Sequence, residues 1–295
     1  MMPGFIMAGR IQATIFVVLS TLVCLVLPPM IVFSNAAIAL ITLRKGWQQG
    51  IIYALLATMT LIIISGVLKQ NASNGLLAGL VNWLPIVFVA SVLAITSSWT
   101  KTLQLILLIA VVGVLLFHLL YPNTMVFWIE LLEPLKPRLK ELYQFNDAVL
   151  DENIKKASQW MTGTFAATYA LLTIISLIIA RNWQALLYNP GGFGEEFRQI
   201  RLGKPLSTGL LVAMALVVFT NNKMITELIM VVITIFMFQG LSLAHGLVKL
   251  RNMGIGWLIA LYGAIFILLI QMIVLLAAFG IIDNYVDFRQ KVSKK

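Results

Sequence analysis

RNWQALLYNPGGFGEEFRQIRLGK, residues 181–204, is a polar and basic connection set between two long apolar runs. It carries Arg181, Arg198, Arg201 and Lys204 together with Glu195 and Glu196. Pro190, Gly191 and Gly192 predict a turn, because Pro fixes its own φ and glycine tolerates positive φ. A short helix is expected after the turn. Its acidic pair lies in the first turn and its cations in the last, which suits the helix dipole, and Phe193, Phe197 and Ile200 fall on one face. That reading places the helix on a membrane surface, with its charges as topology signals.

The flanks decide the class. Of 295 residues, 60% are hydrophobic and 11% charged, against about 25% charged in a soluble domain. The net charge of +10 is no nucleic-acid signature, since the basic residues sit mostly at the ends of apolar runs. Anionic lipid headgroups are the partner that this arrangement suits. Cys24 is the single cysteine, so an intrachain disulfide and a cysteine metal cluster are both excluded.

The fold expected is all-α, a polytopic transmembrane helix bundle of eight or nine hydrophobic segments with short interfacial helices. Residues 9–27 read as the first span and not as a signal peptide, because the apolar run resumes past Pro28 and Pro29. A short second segment, 30–43, contains Ser34 and Asn35, which favour burial against protein. Spans follow at 51–68, 77–96 and 102–121. Gly75 and Gly79 mark a close helix approach, while Asn82, Trp83 and Pro85 suggest a locally opened backbone. Further spans are expected at 161–180, 206–220 and 225–244. The last, 255–282, reads as one long helix whose Gly256, Ala260, Ala264 and Gly263 stripe puts it at the centre of the bundle.

Residues 122–160 form the one sizeable segment outside the apolar runs, with five basic and six acidic residues against 16 and five elsewhere. Three regions result: a transmembrane half 1–121, an extracytoplasmic amphipathic loop 122–160, and a second transmembrane half 161–295 with a cytoplasmic loop at 181–204. Pro134 and Pro137 interrupt the helical spacing of Trp128, Leu131, Leu132, Leu135, Leu139, Leu142 and Tyr143, so this loop should hold short surface helices. Placing the loops at 44, 101, 181–204 and 249–251 in the cytoplasm of a bacterium's inner membrane agrees modestly with the positive-inside rule. It leaves the tail cations Arg289, Lys291, Lys294 and Lys295 outside if all nine segments cross.

The chemistry legible in the residues is sparse. His118 and His245 lack ligand spacing or a cysteine partner, so no metal is expected, and no Walker or GxGxxG pattern calls for a nucleotide cofactor. No catalytic triad or paired acid and base can be read, so the chain is not expected to be an enzyme. Glu227, the one carboxylate within a span, is expected at the interface beside Lys223. A carrier coupled to ions usually needs an ionisable group near mid-membrane. Uncharged polar residues remain as candidate substrate-binding positions: Asn35, Asn82, Trp83, Gln239 and Gln271, with Ser242 beside them, which serve equally well as interhelical hydrogen-bond contacts.

Two regions resemble the YybS-like family of uncharacterised bacterial membrane proteins. One comprises Arg181, Trp183, Tyr188, Asn189, Pro190, Gly191, Gly192 and Phe193, continuing through Glu196, Phe197, Arg201 and Leu202. The other is Gly280, Asp283, Asp287, Phe288 and Arg289. Phe238-Gln239-Gly240-Leu241 and His245 fit the same likeness. The N-terminal half is more remotely similar to the substrate-binding S components of energy-coupling-factor transporters, through its first helix, Pro28 and Pro29, a short apolar piece and the Arg44-Lys45-Gly46 turn. The alanine pair that S components use for docking is missing, Ala13 standing alone between 9 and 27. The resemblance implies a small-solute binding or transport subunit powered by a membrane or ATPase partner. The alternative is a scaffold recruiting envelope machinery through 122–160 or 181–204. Asp283 and Asp287, four apart, are expected to share a helix face; they either pair with Arg181 and Arg201, or Asp283 and Arg289 simply cap and flank their own helix.

The charge contrast predicts opposite sides for the two loops. In a Cys24→Ala background, Asn146→Cys should react with an impermeant thiol reagent added outside intact cells, and Asn189→Cys only after permeabilisation. Labelling of Asn189→Cys from outside would reverse the assignment.

Overall fold

The computed structural model describes residues 2–69, 71–144 and 146–293. Gln70 of the polar loop and the tail's Lys294 and Lys295 lie outside the described residues. Every regular element among the described residues is helical. In chain order these are α1 (Met2–Ala8), α2 (Arg10–Val26), α3 (Ile31–Lys45), α4 (Trp47–Val67), α5 (Ala72–Thr96), α6 (Trp99–Leu120), α7 (Thr124–Leu132), α8 (Lys136–Tyr143), α9 (Asp147–Ser158), α10 (Met161–Tyr188), α11 (Gly192–Phe197), α12 (Lys204–Thr220), α13 (Lys223–Leu250), α14 (Gly256–Ile267), α15 (Leu269–Val286) and α16 (Phe288–Ser293). Six of them, α4, α5, α6, α10, α13 and α15, are long and apolar enough to cross a membrane. The chain is a multi-pass membrane protein. The apolar helices α2, α12 and α14 are shorter; the 17 residues of α2 or α12 cover about 26 Å, and the 12 of α14 about 18 Å, of a hydrocarbon core near 30 Å.

The described chain divides into two compact units, residues 1–106 with 171–201 and residues 107–170 with 202–295. α6 therefore begins in the first and ends in the second, and α10 returns. In the first unit the core is α3, whose residues from Ser34 to Leu43 are all buried. Burial all round explains why the short segment carries Ser34 and Asn35: it contacts protein, where polar groups find partners. Its neighbours are α2, α4 and α5. The tightest pairing is α4 on α5, where a Cβ at Gly75 would come within 2.9 Å of the Leu61–Ile62 backbone and one at Gly79 within 2.5 Å of Thr58. Hydroxyls inside this bundle turn back on their own helices, Thr42 to the Ile38 carbonyl and Thr58 to that of Ala54, each at 2.8 Å. α5 runs unbroken through Pro85, so the locally opened backbone expected there is not present.

The second unit is built on α13, buried from Thr234 to Leu243. It lies so close to α15 that a Cβ on Gly240 would strike the Leu276 carbonyl, and one on Gly280 would sit 2.5 Å from the Phe236 carbonyl. Small residues permit that approach because backbones can then touch directly. The expected helix 255–282 is two helices, separated at Leu268 with φ −120° and ψ 49°. Its small-residue stripe is not central either. α14 has no buried residue, and Gly256 and Gly263 face open space. Leu268 occupies a non-helical conformation and Gly280, further along, makes the packing contact in its place. In 122–160 the prolines divide the chain as expected, a 3-10 turn at Glu133–Leu135 linking α7 to α8. Lys136 bridges Asp151 and Glu133, each at 2.7 Å, and those bonds, the Asp151 one foremost, push its ammonium up from the ordinary lysine value.

Close backbone approach makes Gly280 intolerant of any side chain. Gly280→Ala should destabilise by about 2 kcal/mol through overpacking, whereas Gly263→Ala should stabilise α14 by up to about 1 kcal/mol. Thermal unfolding of both variants in one detergent would check the contrast, and equal melting temperatures would refute it.

Candidate functional site

The 181–204 motif is held together by charge and stacking inside the first unit. Arg181 donates through Nε and Nη2 to the two oxygens of Glu196, at 2.9 and 2.6 Å, and through Nη1 to Gln184 Oε1 at 2.5 Å. Two parallel bonds between guanidinium and carboxylate fix geometry as well as adding energy. Gln184 in turn donates to the Leu43 carbonyl at 3.5 Å. Arg44 lies 3.9 Å over the Tyr188 ring, and Trp183, buried, meets Phe16 edge-on at 6.2 Å. Gly191 has φ 89°, the left-handed conformation that explains a glycine after Pro190 and Asn189. Phe193 packs on Phe197 at 5.7 Å and on Trp99 at 6.0 Å. Thr100 closes the loop by donating to the Arg201 carbonyl at 3.1 Å.

Two expectations about this motif are corrected. The helix stops at Phe197, so Arg201 and Lys204 are not in its last turn; Lys204 opens α12. Its apolar face is not presented to a membrane surface, for Phe197 and Ile200 are buried. The carboxylate of Glu196 engages Arg181 within the same loop. Asp283 has its own partners: its Oδ1 accepts from the Phe288 N–H at 3.1 Å and its Oδ2 lies 3.6 Å from Arg289 Nη2. Arg289 is buried and also donates to Ser242 at 3.2 Å. Asp287 does not share a helix face with Asp283, since α15 ends at Val286 and Asp287 takes φ 49°. There it accepts from the Gln290 N–H at 3.1 Å.

The five candidate substrate-binding residues fall into distinct settings. Asn82 donates to Asn35 at 3.0 Å in the first unit. Next to Asn82 on α5, Trp83 is fully buried, and its indole N–H has no acceptor. Gln239, in the second unit, is consumed by architecture: its Oε1 accepts from Leu202 N–H at 2.8 Å, and its Nε2 donates to the Gly280 carbonyl at 2.6 Å and to Asn284 at 2.9 Å. Asn284 continues to Ser207 at 2.5 Å and accepts from Gly203 N–H at 3.2 Å. Gln271 is exposed on α15.

One pair in the second unit went unread in the sequence. His118 Nε2 and Glu227 Oε2 are 2.6 Å apart, and Glu227 is fully buried. One turn beyond Lys223 on α13, its carboxylate is enclosed, with the α10 backbone at Gly163 packed on its Cα and Cβ. The signal was present as the sole carboxylate of an apolar helix, since such a charge needs a partner. What hid it was distance: His118 lies 109 positions away. His245 bonds Tyr262 at 3.0 Å. Among the described residues, no group of three or more His, Cys, Asp and Glu is placed to hold a metal ion.

Comparison of the chain with protein-family models, with curated proteins and with solved structures yields no match.

The His118–Glu227 pair generates a double-variant test. His118→Phe, which leaves the buried carboxylate without its donor, should cost about 3 kcal/mol or more. Adding Glu227→Leu should restore most of that loss. Thermal unfolding of the single and double variants measures it, and strictly additive losses would show that the two side chains are uncoupled.

Proposed function

We propose that the chain is a binding or transport subunit for a small neutral or weakly polar solute, resident in a bacterial cytoplasmic membrane and powered by a partner such as an ATPase module. α2, α3 and α12 then supply the remaining crossings of an eight- or nine-segment bundle, by locally thinning the bilayer. The observation that carries the reading is the orphan indole N–H of Trp83, fully buried and next in sequence to Asn82, which donates to Asn35. A buried donor without an acceptor costs about 1–3 kcal/mol, and a solute bearing a hydroxyl or carbonyl oxygen would remove that cost. Gln239 and Gln271 take no part in this site, the first being bonded internally and the second exposed. Asn35, Asn82 and Trp83 are thus the residues proposed to meet the solute.

The alternative of a scaffold for envelope machinery draws on 122–160. There Leu131, Leu135, Leu142 and Tyr143 are all exposed, an apolar set on short helices that a partner protein could cover.

Trp83→Phe separates a binding role from a packing one. It removes the orphan donor together with some ring volume, so the empty protein's stability should change by less than about 1 kcal/mol. A solute retained by the wild-type protein in mild detergent, seen by mass spectrometry, should be lost. A wild-type preparation holding neither a small molecule nor an ATPase partner would overturn the reading, and an envelope complex in their place would favour the scaffold.

A further inference from the structure

In the second unit the C-terminal end of α6, the start of α7, the end of α12 and the start of α13 surround an open cavity of about 520 Å³. His118, Asn123, Thr124, Asn221, Asn222 and Lys223 supply most of its polar wall, and no Asp or Glu lines it. Two helices begin there. Asn123 accepts from the Val126 N–H at 3.4 Å at the start of α7, and Asn222 from the Ile225 N–H at 3.2 Å at the start of α13. Because each cap uses its carbonyl oxygen, the amide NH2 of each remains as a donor. Lys223 has no ion pair among the described residues' salt bridges and stands in the wall beside them. His118 completes the set. Its Nε2 is committed to Glu227, whose carboxylate is not part of the wall.

We infer that this cavity binds a phosphate-type oxyanion, the phosphodiester of a lipid headgroup or inorganic phosphate. The warrant is the wall itself: the Lys223 ammonium and the amide donors of both caps stand there with no carboxylate in the wall, which favours a compact anion with several acceptor oxygens; the N-termini of α7 and α13 add to this, and the C-termini of α6 and α12 offset part of it. Its position favours the lipid. α6 and α13 are both long enough to span a membrane, so their adjoining ends lie at headgroup level. Tyr121 and Trp128, near in sequence to the cavity's Pro122 and Met125, pack on Phe127 with ring centroids 4.6 and 5.4 Å away, and Tyr and Trp are the residue types that settle at a membrane interface. The buried His118–Glu227 pair then has a use: it anchors the imidazole so that one wall of the cavity is rigid. The inference concerns the second unit and is independent of the Trp83 site.

The test uses the full chain in two arms. In the first, protein is reconstituted into nanodiscs of phosphatidylglycerol and phosphatidylcholine, extracted, and weighed intact by native mass spectrometry. Wild type should retain one phospholipid; Lys223→Gln should lower that retention about tenfold, and Lys223→Arg should largely keep it, as loss of a single charge-assisted contact predicts. Arg251→Gln, just past the opposite end of α13, should match wild type. In the second arm, 10 mM inorganic phosphate is compared with chloride at equal ionic strength. A rise in melting temperature for wild type that Lys223→Gln abolishes identifies free phosphate as the ligand. Retention without a melting shift identifies the lipid. Equal behaviour of wild type and Lys223→Gln in both arms, or binding in neither, overturns the inference.

Discussion

A polar atom set among apolar helices has to find its partner inside the protein, because hydrocarbon offers none. Gln239 illustrates how much architecture that requirement can govern. Its side chain reaches the Leu202 N–H, the Gly280 carbonyl and Asn284, so one amide joins the chain entering α12, the middle of α13 and the end of α15. The geometry is attainable only because Gly240 and Gly280 let α13 and α15 touch backbone to backbone. A residue that reads as a solute contact is a bracket for three chain segments. The same requirement accounts for the back-bonded threonines of the first unit and the enclosed Asp283–Arg289 pair.

Against that rule, the Trp83 indole is informative as an exception. It is not alone: the Trp99 indole N–H and Glu227 Oε1 are likewise buried without a hydrogen-bond partner. An indole that gives up its hydrogen bond forfeits energy, and proteins tolerate such losses mainly where a ligand repairs them or where function needs strain. The polar caps around Asn123 and Asn222 form the complementary case, in which donors remain over after the helices themselves are satisfied.

How far the residues alone could be read follows from the same physics. Helix content, the glycine approach at Gly75 and Gly79, the Gly191 turn and the proline-divided helices of 122–160 are local consequences of side-chain shape and backbone freedom, and each is visible within a few residues. The break at Leu268 was not legible, for nothing at that position is a glycine or proline. Nor was the exposure of α14, since a small-residue stripe records only the possibility of close packing. Asp283 and Asp287 do not share a face because α15 ends at Val286 and Asp287 adopts the left-handed conformation, which a four-residue spacing does not reveal. Partners distant in sequence, His118 with Glu227 and Gln239 with Leu202, depend on tertiary placement. Composition shows that a buried carboxylate must be compensated, but not by which residue.

The passage of α6 and α10 between the two units carries a consequence for biogenesis. The first unit is discontinuous: its opening helices leave the ribosome well before residues 171–201, which complete it. At about 5–20 residues per second, synthesis of the intervening stretch takes several seconds. During that interval Arg181 has not yet emerged, and the Leu43 carbonyl and Phe16 ring it helps to cover lack Gln184 and Trp183. The nascent N-terminal helices must therefore be held, by lipid or by the insertion machinery, until a strand of chain made much later arrives to close them.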